Sequence, residues 1–564
     1  MKIIIIGGVA GGATAAARLR RLDETAQIIV LERGGFVSYA NCGLPYYIGG
    51  EIKDKAALTL QTPESFMSRF RVEVRVRNEV TAIDPQSKTV TVNPIDSGEA
   101  YTETYDKLIL SPGAKPVAPP FDGINSEGVF TLRTVEDSYK IHGFISAKKP
   151  RTAVVVGGGF IGLEMAENLV NAGISTTLLQ YENQILPPLD YDMACQIHAY
   201  LRSKNVVLRL EELVEGFEKC GEKLVTRLKG KAGVEADMVI LAIGVAPDTH
   251  LAAKAGLKLG IKGAIAVNDR METSAKDIYA VGDAVEVTHF VTGEKALISL
   301  AGPANKQGRI AADNICGIKS SFKGSQGSSV IKLFGMTAAS TGVNEKTAQA
   351  TGIKYDKTVN FSAAHATYYP NATSMTIKTL FEPQTGKILG AQIVGFDGVD
   401  KRIDVLATAI RAGMTAADLT ELELAYAPPY SSAKDPVNMV GYTIENVLAG
   451  LVKQHHWHDI PALQSDKNAV LLDVRTPQEY ARGHIAGSIN IPLDDLRGRM
   501  GELDKTKKLY VNCQSGLRSY LACRILAQNG FDCSNFSGGY RVYEYIANEK
   551  CYATDTNYPC GIKI

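Results

Sequence analysis

The first apolar block of the chain reads KIIIIGGVAGGATAAARLRRL: four consecutive isoleucines, a glycine-rich turn, then an alanine-rich stretch closing on basic residues. A short apolar run bounded by glycine predicts a buried strand, a tight turn and a helix, and QIIVLER from Gln27 predicts the next strand. This is the opening of a doubly wound nucleotide fold. RTAVVVGGGFIGLEMAENLVNAGISTTLLQ, from Arg151, repeats the pattern, so two bound nucleotides are expected. Between the two units VEVRVRNEVTAIDPQSKTVTV alternates at period two around Asp84-Pro85 and predicts hairpin strands. From about Ser329 the strand-like MTIKTLFEPQTGKILGAQIVG and helical IDVLATAIRAGM predict an α+β segment. QHHWHDIPALQS, which carries the only Trp, is the expected junction to a small α/β domain. That domain holds AVLLDVRTPQEYARGHIAGSINIPL and LYVNCQSGLRSYLACRILAQNGF.

Length and charge narrow the class. The 564 residues are 45% apolar and 21% charged, with 61 Lys+Arg against 60 Asp+Glu. At about 150 residues per domain this is three or four folded domains, which excludes a disordered or collagenous chain. The even charge balance disfavours a nucleic-acid partner recruited by net charge. Nine scattered cysteines contain no C-x-x-C pair, so a disulfide scaffold and a zinc site are disfavoured, no metal is expected, and a reducing compartment is implied. Ile3 to Ala17 is the longest apolar run; it contains four glycines and falls short of the about 20 residues that span a bilayer. Lys2, the isoleucines and Ala15 to Ala17 imitate a signal peptide, but the run continues into a nucleotide-binding unit. A cytoplasmic chain without a membrane partner is expected.

The glycine loops carry the first chemistry. A thin loop between strand and helix brings backbone N–H groups and the positive helix end against a pyrophosphate. Gly7 and Gly12 hold the outer positions of the first loop, with Val9 in place of the middle glycine, and Glu32 and Arg33 end the second strand. A carboxylate at Glu32 suits ribose hydroxyls. In the second loop Gly157, Gly159 and Gly162 complete G-x-G-x-x-G, with Glu164 just inside the helix. Gln180 sits where an acid would favour a free 2′-hydroxyl. No Arg or Lys for a 2′-phosphate occurs from Leu178 to Glu182, so NADH is expected over NADPH.

This arrangement resembles the pyridine nucleotide-disulfide oxidoreductases. TSAKDIYAVGDA, with Gly282 and Asp283, is similar to that family's second flavin motif, and LILSPGAKP and LAIGVAPDT to its two crossovers. The resemblance implies FAD, with Asp283 at the ribityl chain, NAD(P)H, and a homodimer. The implied fold is two Rossmann-like dinucleotide-binding domains, an α+β dimerisation domain and a last α/β domain. The expected boundaries are 1–115 with 245–325 for FAD, 116–244 for NAD(P)H, 326–450 for dimerisation, and 451–564 for linker and final domain.

VSYANCGLPYYIGG contains a single cysteine, Cys42, where disulfide reductases of the family carry two. One thiol forms no intramolecular disulfide there, so its oxidised form is a mixed disulfide, a persulfide or a sulfenic acid. The helix-start position together with the nearby flavin predicts a favoured thiolate. SYANCGLPY resembles the active-site segment of coenzyme A disulfide reductases. That resemblance implies coenzyme A contacts from Thr14, Arg18, Arg21 and Lys434, and a pantetheine end lined by Ser38 and Asn41. Tyr368, Tyr369 and Tyr426 become candidate proton or hydrogen-bond donors to the departing sulfur from the other subunit. Asn305 and Lys306 depart from the histidine-arginine pair of related reductases.

LLDVRTPQEYARGHIAGSINIP and CQSGLRS resemble the single-domain rhodanese module. There Cys513 opens a loop through Gln514, Ser515, Gly516, Leu517, Arg518 and Ser519, whose N–H groups suit a thiolate or persulfide. Asp473, Arg475 and His484 are expected to brace this loop. Cys523, Cys533, Cys551 and Cys560 have no assigned role; core or exposed bystanders are expected, with Cys551 or Cys560 a possible resolving thiol. The expected activity is NAD(P)H-dependent reduction of coenzyme A persulfide, polysulfide or coenzyme A disulfide through Cys42, with sulfane sulfur handled at Cys513. The alternatives are an NADH oxidase or peroxidase cycling Cys42 through sulfenic acid, and a non-enzymatic redox sensor or sulfur-trafficking protein.

Overall fold

Residues 1–96 and 98–554 are described in a computed structural model, which divides the chain into two compact units. The first comprises residues 1–183 and 205–327; the second comprises 184–204 together with the chain from 328 onward. Among the described residues no helix is long and apolar enough to cross a membrane.

The first unit is built on two five-stranded parallel sheets. In one, strands run in the order Ile278–Ala280, Lys107–Leu110, Lys2–Ile6, Gln27–Glu32 and Glu73–Val76. In the other the order is Val207–Arg209, Ser175–Leu179, Thr152–Val156, Met238–Leu241 and Val129–Phe130. Central strands buried on both faces must be apolar throughout, which is why IIII and AVVV sit mid-sheet. Helices Ala10–Leu22 and Phe160–Asn171 follow the two glycine loops. The alternating stretch after Val72 divides differently from a plain hairpin. Asn78–Asp84 and Thr89–Pro94 pair antiparallel across the Asp84 turn, but Glu73–Val76 joins the parallel sheet beside Gln27–Glu32. Period-two alternation suits either an antiparallel face or the edge of a parallel sheet, so it does not separate the two.

The second unit holds a five-stranded antiparallel sheet and a five-stranded parallel one. The stretch expected to be strand-rich forms Ser374–Phe381 and Ile388–Gly395, paired antiparallel and backed by helix Val399–Ala412. The parallel sheet orders Lys453–His455, Cys533–Phe536, Lys508–Asn512, Ala469–Asp473 and Ile489–Asn490. Helix Tyr191–Ser203 joins this unit although the strands flanking it in sequence belong to the first. Its Gln196 accepts from Thr376, and its Arg202 makes a bidentate pair with Glu549 on the last helix. Asp192, just inside its first turn, and Asp190, just before it, face Glu345. These three carboxylates have metal-like spacing, but the fully buried Lys378 ammonium lies among them, 2.7 Å from Asp192 and 3.0 Å from Asp190. Buried charges of opposite sign satisfy one another there.

Candidate active site

Both glycine loops have the shape that a dinucleotide needs. Gly7 adopts φ +92° and a Cβ on it would lie 2.1 Å from the Ser111 carbonyl oxygen, while one on Gly12 would lie 1.9 Å from the Gly7 oxygen. Gly157, at φ +111°, and Gly162 repeat this with clashes of 2.3 and 1.9 Å. Only glycine permits such a backbone, and the cradle it leaves fits a pyrophosphate. The second-strand residues are equivalent in three dimensions: Glu32 accepts from the Gly8 N–H at 2.9 Å, and Gln180 from the Gly158 N–H at 2.8 Å. Glu32 also accepts from Gly34 N–H. Arg33 points outward and pairs with Asp248. Gly159 caps helix Phe160–Asn171.

Cys42 lies on a 3-10 turn, Asn41–Gly43, that feeds the short helix Leu44–Ile48. The residue is exposed by area, yet the protein mass around its sulfur, followed by the Glu164 carboxylate, pushes its pKa up against the pull of Arg133. In the chain alone the helix start therefore does not by itself favour the Cys42 thiolate. A helix of five residues has little dipole to offer, and acids outnumber cations around the sulfur. Glu164 itself is pushed up to about 7, by burial and then by neighbouring Glu167.

Arg133 connects these parts and carries no motif that would single it out. Its Nη2 donates to Asp283 at 2.9 Å; the Asn41 amide, oriented by its hydrogen bonds, donates to the Arg133 carbonyl at 2.8 Å and accepts from Nη1 at 3.3 Å. Arg133 is held because Thr134 caps helix Val135–Lys148 in a capping box with Asp137, which also accepts from the Arg133 N–H. Asp283 sits on a 3-10 turn opened by Gly282 at φ +85°, whose N–H donates to Gln307. Ser38 takes the left-handed conformation, φ +47°, with its N–H donating to Gly8.

Of the residues that the coenzyme A resemblance singles out, Thr14 donates to Asn305 at 2.9 Å and Arg18 pairs with buried Asp313 at 2.7 Å. Arg21 is exposed. In the second unit Tyr368 and Tyr426 meet hydroxyl to hydroxyl at 2.7 Å, both exposed, and this bond raises the Tyr368 pKa. Tyr369 packs edge-on to His365, and Lys434 is exposed.

Cys513 ends strand Lys508–Asn512, wholly buried, and its sulfur accepts from the Gly516 N–H at 3.1 Å and the Ser519 hydroxyl at 3.4 Å. Gly516, at φ +97°, turns the chain into helix Leu517–Gln528. Arg518 binds Glu479 in two parallel bonds, 2.8 and 2.7 Å, which hold the Glu479 carboxyl down to about 2. Arg475 grips Asp473, donates to Gln514 at 3.1 Å and lies over the Tyr540 ring at 4.0 Å. His484 stacks on Tyr480 at 3.9 Å. Gly539, at φ +61°, closes the loop from behind, since a Cβ there would lie 2.6 Å from the Cys513 oxygen and 2.9 Å from the N–H nitrogens of Ser515 and Gly516. Leu517 is exposed. Cys560 lies outside the described residues, and Cys551 is exposed.

With this geometry in place, known proteins match most of the chain. Residues 1–308 match the pyridine nucleotide-disulphide oxidoreductase family, 328–436 its dimerisation domain and 457–545 a rhodanese-like domain. The chain belongs to the pyridine nucleotide-disulphide oxidoreductases. The oxidoreductase is similar to the solved structure of reduced Bacillus anthracis CoADR-RHD, at 50% identity and TM-score 0.95, covering 97% of this chain and 98% of that one. It is similar also to a NAD-dependent persulfide reductase from A. fulgidus, at 39% identity and TM-score 0.90, covering 96% and 100%. A coenzyme A disulfide reductase of Staphylococcus haemolyticus is 38% identical over 444 residues, 78% of this chain and 98% of its own. The oxidoreductase is thus a flavin-dependent enzyme of a family that binds FAD and NAD(P)H, with a rhodanese-like domain appended.

Proposed function

We propose that this oxidoreductase uses NADH to reduce coenzyme A persulfide, with coenzyme A disulfide and polysulfide as further members of its substrate class, and that Cys513 carries sulfane sulfur for it. The observation that carries the reading is the pair of dissimilar single-thiol sites in one chain: Cys42 beside Arg133, Glu164 and Asp283, and Cys513 under the Gly516 and Ser519 donors.

Bound FAD and NADH supply two electrons as hydride. The first loop, Gly7 to Gly12 with Glu32 and Asp283, fits the flavin nucleotide, and Gly157 to Gly162 with Gln180 fits the nicotinamide nucleotide. Cys42, once deprotonated, attacks the sulfur of coenzyme A persulfide that carries the coenzyme. The S–S bond breaks, hydrosulfide leaves, and a Cys42–coenzyme A mixed disulfide forms. Two electrons and a proton then restore the Cys42 thiolate and release coenzyme A thiol. Thr14, Arg18 and Arg21 serve the coenzyme A phosphates, with Arg18 sharing its fork with Asp313. Ser38 and Asn41 line the pantetheine end, Lys434 adds charge, and, from the other subunit of the homodimer, Tyr369 or the Tyr368–Tyr426 pair hands a proton to the departing sulfur. In the rhodanese-like domain Gly516 N–H and Ser519 steady the negative charge on a Cys513 persulfide. The proposed assembly is a cytoplasmic homodimer, with the domain boundaries that the family resemblance implies.

The test is anaerobic NADH oxidation with coenzyme A persulfide, coenzyme A disulfide or polysulfide, for wild type, Cys42→Ser and Cys513→Ser. The expected result is sulfur-dependent turnover lost in Cys42→Ser on every substrate. Loss in Cys513→Ser is expected only when polysulfide or another sulfur donor must be loaded first. Full turnover by Cys42→Ser overturns the reading. Oxygen consumption that exceeds sulfur-dependent turnover and persists without coenzyme A replaces it with an oxidase.

A further inference from the structure

Two cysteines that this mechanism leaves unused meet inside the rhodanese-like domain. Cys523 lies on the inner face of helix Leu517–Gln528 and Cys533 opens strand Cys533–Phe536. The Cys533 thiol donates to the Cys523 carbonyl at 3.3 Å, which sets the two cysteines against each other. Cys523 is 2% exposed and Cys533 7%, in the same apolar core as Cys513, Leu509, Val511 and Leu526. Cys523 is one helical turn beyond Ser519, on the face that Ser519 turns to the Cys513 sulfur.

A buried cysteine is ordinarily an inert small apolar residue. This pair differs in having a partner thiol in contact and a way in. Cys533 starts its strand next to Asp532, which pairs with Lys453 at the surface, 50% and 65% exposed. Cys523 lowers the Cys533 pKa, against burial and the Asp532 carboxylate, while Cys523 is pushed well up, first by Cys533. Cys533, the more exposed of the two and the first residue of its strand, is the nucleophile and Cys523 the resolving thiol.

We propose that Cys523 and Cys533 are a resident dithiol–disulfide couple of the rhodanese-like domain, oxidised by sulfane sulfur with release of sulfide. The choice of oxidant rests on the function proposed above; the couple itself does not. The Cys533 thiolate attacks the outer sulfur of a small persulfide or polysulfide, leaving a Cys533 persulfide and releasing the donor as its thiol. The Cys523 thiol then attacks the inner sulfur, hydrosulfide leaves, and the disulfide closes. Per chain, one persulfide and two thiols become one donor thiol, one sulfide and one disulfide. The new bond fastens the helix that carries Arg518 and Ser519 to the neighbouring strand, so an excess of sulfane sulfur is converted into a constraint on the loop that handles it. A dithiol reductant resets it.

The experiment uses the reduced full-length holoenzyme, treated without oxygen with inorganic polysulfide or, separately, with diamide, then acid-quenched, unfolded, alkylated and digested with trypsin. Cleavage after Arg518, Arg524 and Arg541 puts the two cysteines on different peptides. The expected result is a disulfide joining Ser519–Arg524 to Ile525–Arg541 with both reagents, and one sulfide more per chain from wild type than from Cys533→Ala. Both cysteines fully alkylated after either reagent overturns the couple, and linkage by diamide alone overturns sulfane sulfur as its oxidant. Linkage by polysulfide in chains whose Cys513 takes up no sulfur upholds the couple and removes the sulfur-carrying role of Cys513.

Discussion

Cys42 sits exposed on a single 3-10 turn with Glu164, Asp283 and Arg133 as its charged neighbours, whereas Cys513 ends a parallel strand, fully buried, with one backbone and one hydroxyl donor on its sulfur. Under the proposed function the two thiols solve different problems. A persulfide carrier must hold charge on sulfur while it waits for an acceptor, so fixed donors are built around it, braced by Arg518–Glu479 and Arg475–Asp473. A thiol that must exchange with a bulky disulfide and then be reduced needs an open face. Its charge control is left to titratable neighbours, with Glu164 near neutrality.

The sharpest way to break this contrast is Cys42→Ser. Loss of the attacking thiolate should lower NADH-dependent reduction of coenzyme A persulfide by about 1000-fold or more, read as kcat/KM without oxygen. Sulfurtransfer at Cys513 should survive it. Gly539→Ala should fall mainly on the other side. A side chain at φ +61° against the Cys513 and Gly516 backbone costs about 1–3 kcal/mol of strain, so sulfurtransferase activity should drop by about 10-fold or more. Reduction of coenzyme A disulfide should fall much less; an equal loss of both would mean that the two sites are not separable.

Glu164→Gln tests the titratable neighbour. Glu164 is neutral below about 7 and ionises above it, where its charge opposes the Cys42 thiolate. The amide removes that opposition, so alkylation of Cys42 should begin at lower pH and run about 3- to 10-fold faster at pH 8. An unmoved pH profile would remove Glu164 from the account. Ser519→Ala deletes one donor to Cys513, worth about 1 kcal/mol, and should slow sulfurtransfer about fivefold. Tyr368→Phe removes one hydroxyl of the proposed proton-donating pair while Tyr426 keeps the other, and should lower turnover about twofold.

What could be read beforehand was what local geometry enforces. Gly7, Gly12, Gly157 and Gly162 stand where any Cβ would strike backbone, so the requirement is written in the residue itself. Glu32 and Gln180 were legible as a matched pair because each lies at a fixed distance from its loop along one strand-helix-strand unit. The CQSGLRS loop was legible for the same reason.

Arg133 was not. It reaches Asp283 across 150 residues of sequence, and its only local mark is the Thr134–Asp137 cap that holds it. The raised Cys42 pKa likewise depends on Glu164 arriving from the second nucleotide unit. Helix Tyr191–Ser203 has an ordinary amphipathic sequence, and only its bonds to Thr376, Lys378 and Glu549 assign it to the second unit. Cys523 and Cys533, ten positions apart with no motif, meet because a helix folds back on its strand. The sequence by itself determined the nucleotide loops, the single thiol at Cys42 and the persulfide loop, since each is a contiguous segment whose backbone constraint allows few residue types. The tertiary structure alone decided which charges surround each sulfur and which thiols touch, because Coulomb interactions and sulfur contacts follow distance in space.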